Sequence, residues 1–580
     1  MSITIRRLTL LLLLLLLPAM SSCARTEKLP AAEGPAAGDE VPVIPDIDSG
    51  VCAEDAALSL SNEYGLPIRY TVDGAIPGPE SALYSEPLIL AELAENTALT
   101  DHAGEMFIGD MSMICPSAGT VKVRVIRAAA EMPDGTMGPV MTGTYFLNGG
   151  LWERYGCPVV SIVTDPSDLY DYETGILVRG KVFDDNGAVV PEHIWDAGTA
   201  NFTQRGKAWE RVSYIQVFDG GDTVSVEAPC GIRLKGNYST VFPQRSINVY
   251  LRKDYGQKSI QYGLIPGNAD AEGKEIAVNR SFTFRNGGND TQSMKFKDSL
   301  IQELLSGLDF CSQASRPAIV YLNGEYYGIY NLTEKYSDHY IETHYGVDSD
   351  NVVVIKEGEV DEGEDGDLEL WQSLMTFAYE KSLDLSEETN WEAFLKAVDI
   401  RSMVDYYASE IYIANTDWDE YHNYSLWRTR TDDGTPYGDC RWRWMMCDTE
   451  YSSGMYQSQS DRDVYYSIRS TAPDYDTLSD ALEKNMLFRN AMKNPEFRRM
   501  FAERMHALAE DTLAPARVAG MLDAGYREWS RWYPDYMQRF PVSGEETPEQ
   551  ALQNVKAFFD ARASYILPIV DGYCNYTPGA

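Results

Sequence analysis

Three side chains carry oxygen donors at a spacing that could serve phosphoryl transfer: Asp417, Asn423 six positions later, and Asp448 a further 25 positions on. That chemistry needs a cation near the phosphates, one or two carboxylates on Mg²⁺, and a carboxylate beside the attacking hydroxyl. The apolar-aromatic run Trp442-Arg443-Trp444-Met445-Met446 reads as a strand leading into Asp448. A hairpin between Asn423 and Asp448 would return the second carboxylate beside the first, as a shared Mg²⁺ requires. Asp419 and Glu450 add carboxylates close by in sequence. The chain holds 88 acidic residues against 49 basic ones, so each of these four also fits an ordinary solvated loop.

The elements that would position these groups belong to a long unit that starts near residue 156. Its first half is strand-rich, with clear runs at 213–218, 231–234 and 247–251, and its second half has helical periodicity at 391–414 and 485–512. An aromatic segment around Trp529, Trp532 and Tyr536 and a helix near 551–567 close the chain. Residues 51–150 alternate in short segments split by turn formers, including Ile68-Arg69-Tyr70-Thr71-Val72 before Asp73-Gly74, which is the pattern of a small β-sandwich. The fold class is therefore α+β. The acid-rich run at 357–369 fails the calcium-loop spacing and reads as a mobile, solvated loop.

Residues 1–22 read as a secretory signal, with Arg6 and Arg7 ahead of a leucine run at 8–17 that is too short to span a bilayer. Ser22-Cys23 resembles a bacterial lipobox, which would make Cys23 the lipidated first residue of a protein held at the cell envelope on its extracytoplasmic side. The alternative is ordinary cleavage with a chance cysteine. Residues 23–50, rich in Pro, Ala, Gly and acid, read as a flexible tether. Of the other eight cysteines, Cys52 and Cys115 form the first pair to test for a disulfide, while Cys440 and Cys447 flank the strand before Asp448. Zinc-ligand spacing is absent from the sequence. A net charge of −39 argues against nucleic acid as a partner.

Four stretches, in order, resemble the CotH family of spore-coat-protein-H-like atypical protein kinases. They are Gly231-Ile232-Arg233-Leu234-Lys235-Gly236 continuing to Phe242-Pro243-Gln244-Arg245-Ser246; Phe284-Arg285-Asn286-Gly287-Gly288-Asn289-Asp290 with Phe296-Lys297-Asp298; Tyr321-Leu322-Asn323-Gly324-Glu325-Tyr326-Tyr327-Gly328 through Glu334-Lys335; and Asn415-Thr416-Asp417-Trp418 through His422-Asn423 to Asp448-Thr449-Glu450. The segment Tyr70-Thr71-Val72-Asp73-Gly74 with Tyr84-Ser85-Glu86-Pro87-Leu88 resembles the immunoglobulin-like modules, chitobiase C-terminal-like among them, attached to bacterial surface proteins. The resemblance implies a kinase-like domain over 156–575 that uses Mg²⁺ and ATP. In it, Asp417 or Asp419 would act on the acceptor hydroxyl, and Asp448, with Asn423 and Glu450, would hold the metal. Lys235, Arg245 and Arg285 would lie near phosphate, with Glu334 orienting a cation or metal.

Where relatives often show Asp-x-Asp, this chain has Asp448-Thr449-Glu450, and where they carry lysine it has Arg245. The loop from Asp417 to Asn423 is one residue longer than the commonest spacing. Two classes of function follow. One is a lipid-anchored extracytoplasmic kinase acting on Ser or Thr of a surface protein. The other is a surface-assembly or glycan-docking lipoprotein with a degenerate cleft, favoured if the Trp529–Tyr533 aromatics are exposed.

Overall fold

The structure is a computed structural model that describes residues 40–90, 98–108, 123–147, 149–190, 198–455, 470–541 and 546–579. The signal segment, Cys23 and Cys115 lie outside the described residues. In the N-terminal module, β1 (Gly50–Cys52), β2 (Ile68–Thr71), β3 (Ala82–Leu83), β4 (Val123–Ala130) and β5 (Met141–Leu147) form one sheet in the order β1-β5-β4-β2-β3. A second layer of short strand pairs closes a core of Leu58, Leu60, Ile68, Ile126, Ala128 and Tyr145. Val41 and Val43 are buried in that core, so the module begins about ten residues before the end expected for the tether.

The next unit is a closed barrel of β6 (Val159–Thr164), β7 (Arg211–Phe218), β8 (Val226–Lys235), β9 (Ser246–Tyr250), β10 (Ser281–Arg285), β11 (Ser315–Leu322) and β12 (Glu325–Glu334). The order is β6-β7-β8-β9-β10-β12-β11, and β11 returns to β6 in parallel with Val159 opposite Ile319. Asn323-Gly324 makes the two-residue hairpin between β11 and β12. Both have positive φ, 48° and 84°, which is the condition for a turn whose twist matches the strands.

Beyond the barrel lies a four-stranded sheet of β13 (Val352–Lys356), β14 (Glu359–Glu362), β15 (Ser425–Thr429) and β16 (Arg443–Met445), ordered β14-β13-β15-β16. The hairpin inferred between Asn423 and Asp448 is the β15–β16 pair, with Ser425 opposite Met445. The acid-rich run is ordered: Glu359–Glu362 pairs with Val352–Lys356, and Asp367 is buried in an ion pair with Arg430 at 2.7 Å. Val360 packs against the core while its neighbours Glu359 and Asp361 stay exposed. Helices α1 (Lys297–Leu305), α2 (Ile400–Tyr412), α3 (Pro495–Ala507) and α4 (Pro548–Cys574) share one apolar core with the barrel. Trp529, Trp532 and Tyr533 are buried in that core, which removes the exposed platform that glycan stacking would need.

The N-terminal module is not a detached satellite. Phe146 of β5 meets Phe218 and Tyr321 of the barrel edge-on at 5.2 and 5.3 Å. Residues 98–108, between β3 and β4 in sequence, insert Leu99, Met106 and Ile108 into the barrel's core. All described cysteines are free thiols, Cys440 and Cys447 included. No helix among the described residues is long and apolar enough to cross a membrane.

Candidate active-site cleft

Strand register places the candidate groups at two facing edges. On the barrel, Lys235 pairs with Ser246 and Arg285 with Asn331. Ser246 joins the two pairs, because its hydroxyl and Asn286 exchange hydrogen bonds at 2.9 Å. On the sheet, Lys356 pairs with Ser425, which pairs with Met445. The residues just past that row are Glu357, Asn423 and Cys447-Asp448. Asn423 is drawn in by its own N–H donating to Glu357 Oε1 at 3.3 Å, and the Cys447 thiol donates to the Asn423 carbonyl at 3.8 Å.

Arg285 bridges the two edges. Its Nη2 donates to Asp448 Oδ1 at 2.6 Å and to Glu450 Oε1 and Oε2 at 2.7 and 2.5 Å. Its Nε lies 3.3 Å from Asp298 Oδ2, an ion pair without hydrogen-bond alignment. Asp298 is itself fixed by the N–H and hydroxyl of Thr449, at 2.9 and 2.7 Å. Burial opposes charge on Arg285, yet Glu450, Asp298 and Asp448 hold its pKa well above the ordinary value. Burial likewise opposes charge on Asp448, but Arg285 holds that carboxyl below its usual range. Burial and the charges of Asp448 and Asp298 work against charge on Glu450, while Arg285, in contact with both its oxygens, works for it.

Lys235 is half-buried and makes no hydrogen bond or ion pair with a described residue. Burial and the charges of Arg285 and Lys356 bring its pKa down to about 8, against the pull of Asp448. For Lys356, burial is outweighed by Glu357 and more distant acids, so its pKa is raised. Three cations thus converge where Asp448 is the half-exposed carboxylate.

The loop that carries Asp417 hangs from the end of α2. Arg562 caps that end by donating to the carbonyls of Ile411 and Tyr412 at 2.7 and 2.9 Å. Ala414 then turns through φ 54°. Asn415 ties the loop down: its Nδ2 donates to buried Glu410 at 2.9 Å, and its Oδ1 accepts from the Asp417 N–H at 3.2 Å. Asn423 donates to the Asp417 carbonyl at 2.8 Å, and His422 Nε2 lies 3.3 Å from Asp417 Oδ1. That contact is the first cause raising the His422 pKa to about 8. Asp419 is used differently, since its carboxylate accepts from the Tyr421 N–H at 2.8 Å within a tight turn.

Residues 232–566 match the family described as CotH kinase protein. The chain belongs to the CotH family. Residues 57–145 match the family described as Fn3 associated, consistent with the immunoglobulin-like module. No curated protein matches the sequence significantly. This CotH chain is accordingly kinase-like, with an α+β fold.

Of the residues singled out from the CotH resemblance, the structure brings Lys235, Arg285, Asn423, Asp448 and Glu450 into this cleft, with Asp417 beside Asn423. It keeps two apart. Arg245 is wholly buried, and its guanidinium donates to the backbone carbonyls of Thr240 and Leu177, at 2.7 and 2.8 Å, and of Met106. With its nitrogens so engaged it serves the fold rather than phosphate. Glu334 accepts from the Ala314 N–H at 2.9 Å and pairs with His344 at 2.6 Å, which leaves it no cation to orient in the cleft. Glu450 also departs from its expected role, because both its oxygens are taken by Arg285. Sequence reasoning missed Lys356 and Glu357, which only the β13–β15 register brings in, and it quoted Asp298 without a role.

Proposed function

We propose that this CotH chain is an extracytoplasmic, lipid-anchored kinase that transfers the γ-phosphoryl group of Mg-ATP to Ser or Thr of a surface protein. The observation that carries the reading is Lys235, a half-buried cation with no hydrogen-bond or ion-pair partner among the described residues, beside Arg285 and Lys356. Cations gathered at a cleft in a chain of net charge −39 suit an anionic ligand such as a polyphosphate. The anchor rests on the sequence around Ser22-Cys23.

Among the described residues no group of three or more His, Cys, Asp or Glu side chains is arranged to hold a metal, but the donors for one hard cation shared with phosphate oxygens are suited to it. Asp448 keeps 42% of its side chain exposed. Asn423 donates through its amide nitrogen, leaving its oxygen free to ligate. Bound there, Mg²⁺ would neutralise charge on the transferring group. Lys235 and Lys356 would hold phosphate oxygens in line. Asp417, oriented by Asn415 and Asn423, would accept the proton of the acceptor hydroxyl as its oxygen bonds to the γ-phosphorus and the bond to the ADP oxygen breaks. Calorimetry of the full chain with ATP and Mg²⁺ tests the reading. Saturable, Mg²⁺-dependent binding that is lost in Lys235→Ala is expected; absence of binding by the wild type hands the argument to a degenerate surface-assembly protein.

A further inference from the structure

We propose that Arg285 is a built-in cation that takes the place of a second metal ion, so that this cleft binds nucleotide with one divalent ion rather than two. The inference rests on the nucleotide reading of the same cleft. Phosphoryl-transfer sites can use two divalent ions, and carboxylates two residues apart at the end of a hairpin are suited to bridge one of them. In this chain a single nitrogen contacts both carboxylates. Arg285 Nη2 lies 2.5–2.7 Å from oxygens of both Asp448 and Glu450.

Four features make that occupancy permanent. Arginine does not lose its proton in a protein, so its charge is fixed. The side chain is 11% exposed, and Glu450, which accepts from Nη2, and Asp298, which pairs with Nε, are 3% and 7% exposed, so of its three carboxylate partners only Asp448 is open to competing water. Arg285 is anchored on β10, which is paired on both sides, to β9 and to β12. The Glu450 carboxylate lies over Gly288, where a Cβ would come within 1.4 Å of Oε1. That close approach leaves the space in which the glutamate side chain reaches the arginine. Only Asp448 then keeps a face toward the cleft, enough for one ion together with Asn423.

The test counts Mn²⁺ by electron paramagnetic resonance on the full chain with a non-hydrolysable ATP analogue. One Mn²⁺ per chain is expected, and two would overturn the proposal. No bound Mn²⁺ would overturn the nucleotide reading itself, and the arginine's place is then decided without nucleotide. Arg285→Gln should gain a Mn²⁺ site and a Mn²⁺-dependent rise in melting temperature that wild type and Arg285→Lys lack. If Arg285→Gln, purified with Mn²⁺ so that the metal can support folding, binds none and melts the same with and without it, the proposal is wrong.

Discussion

Replacing Gly288 by alanine probes the centre of the cleft with one methyl group. Gly288 has φ 54°, and a Cβ there would sit 1.4 Å from Glu450 Oε1 and 2.6 Å from its carboxyl carbon. The left-handed backbone costs alanine about 1 kcal/mol. The overlap forces the Glu450 carboxylate to move, and because that side chain is only 3% exposed the movement comes at the expense of its contacts with Arg285 Nη2. Separating a buried ion pair costs about 3–5 kcal/mol when a charge is left uncompensated. Arg285 keeps Asp448 and Asp298, which places the loss at the lower end, near 3 kcal/mol. Together the terms give a destabilisation of roughly 4 kcal/mol, a large share of the ~5–15 kcal/mol typical of a folded domain. Urea denaturation followed by circular dichroism would measure it. Glu450→Ala in the same chain should relieve the overlap, so that Gly288→Ala/Glu450→Ala is more stable than Gly288→Ala. A single variant within about 1 kcal/mol of wild type, or a double variant that is the sum of the two singles, would refute the packing argument.

Asp448→Asn should lower phosphate transfer by about 100-fold or more, with the fold retained by circular dichroism, because it removes the half-exposed carboxylate facing the phosphate end. Asp417→Asn should cut turnover by about 100-fold or more while calorimetric nucleotide affinity stays within about twofold, whereas Asp419→Asn, which alters only a turn, should keep most of the activity. Nucleotide affinity should fall as pH rises through about 8, where free Lys235 loses its proton; binding above that pH should take up a proton, seen as a heat that depends on buffer ionisation, and Lys235→Arg should flatten the profile.

Much of this was legible in the sequence where the signal is local. The Asn323-Gly324 turn needs only two residues able to take positive φ, and the hairpin that returns Asp448 beside Asn423 follows from one apolar strand and the intervening length. What was not legible depends on contacts distant in sequence. Lys235 and Arg245 stand ten residues apart in one stretch of cations and turn formers, yet one faces a cleft and the other binds three carbonyls, and nothing in their neighbours distinguishes them. Glu334 ends a strand as a solvated charge would, but His344 from the following helix reaches it. The acidic run at 357–369 reads as loop by composition, although Glu359–Glu362 within it pairs with Val352–Lys356. Asp417 and Asp419 have equal claims in sequence; the turn that engages the Asp419 carboxylate exists only once the loop is folded.

The same dependence on distant contacts bears on what the catalytic unit is. The family match begins at residue 232, inside β8. A fragment of 232–566 would lack β6 and β7, leaving β8 and β11 as open edges of what is a closed barrel. It would also lose Leu177 and Met106, whose carbonyls hold Arg245, and through Arg245 the Thr240 carbonyl of the loop that follows Lys235. Leu99, Met106 and Ile108 are each at most 2% exposed in the shared core, and removing a side chain of that kind costs about 2–5 kcal/mol. Loss of all three together, roughly 6–15 kcal/mol, is comparable to the whole ~5–15 kcal/mol stability of an ordinary domain. The fragment should therefore be insoluble or lack a cooperative melt, while residues 40–579 should unfold in one transition. A fragment of 232–566 that melts cooperatively and binds nucleotide as the full chain does would show that the N-terminal module merely rests on the kinase-like domain.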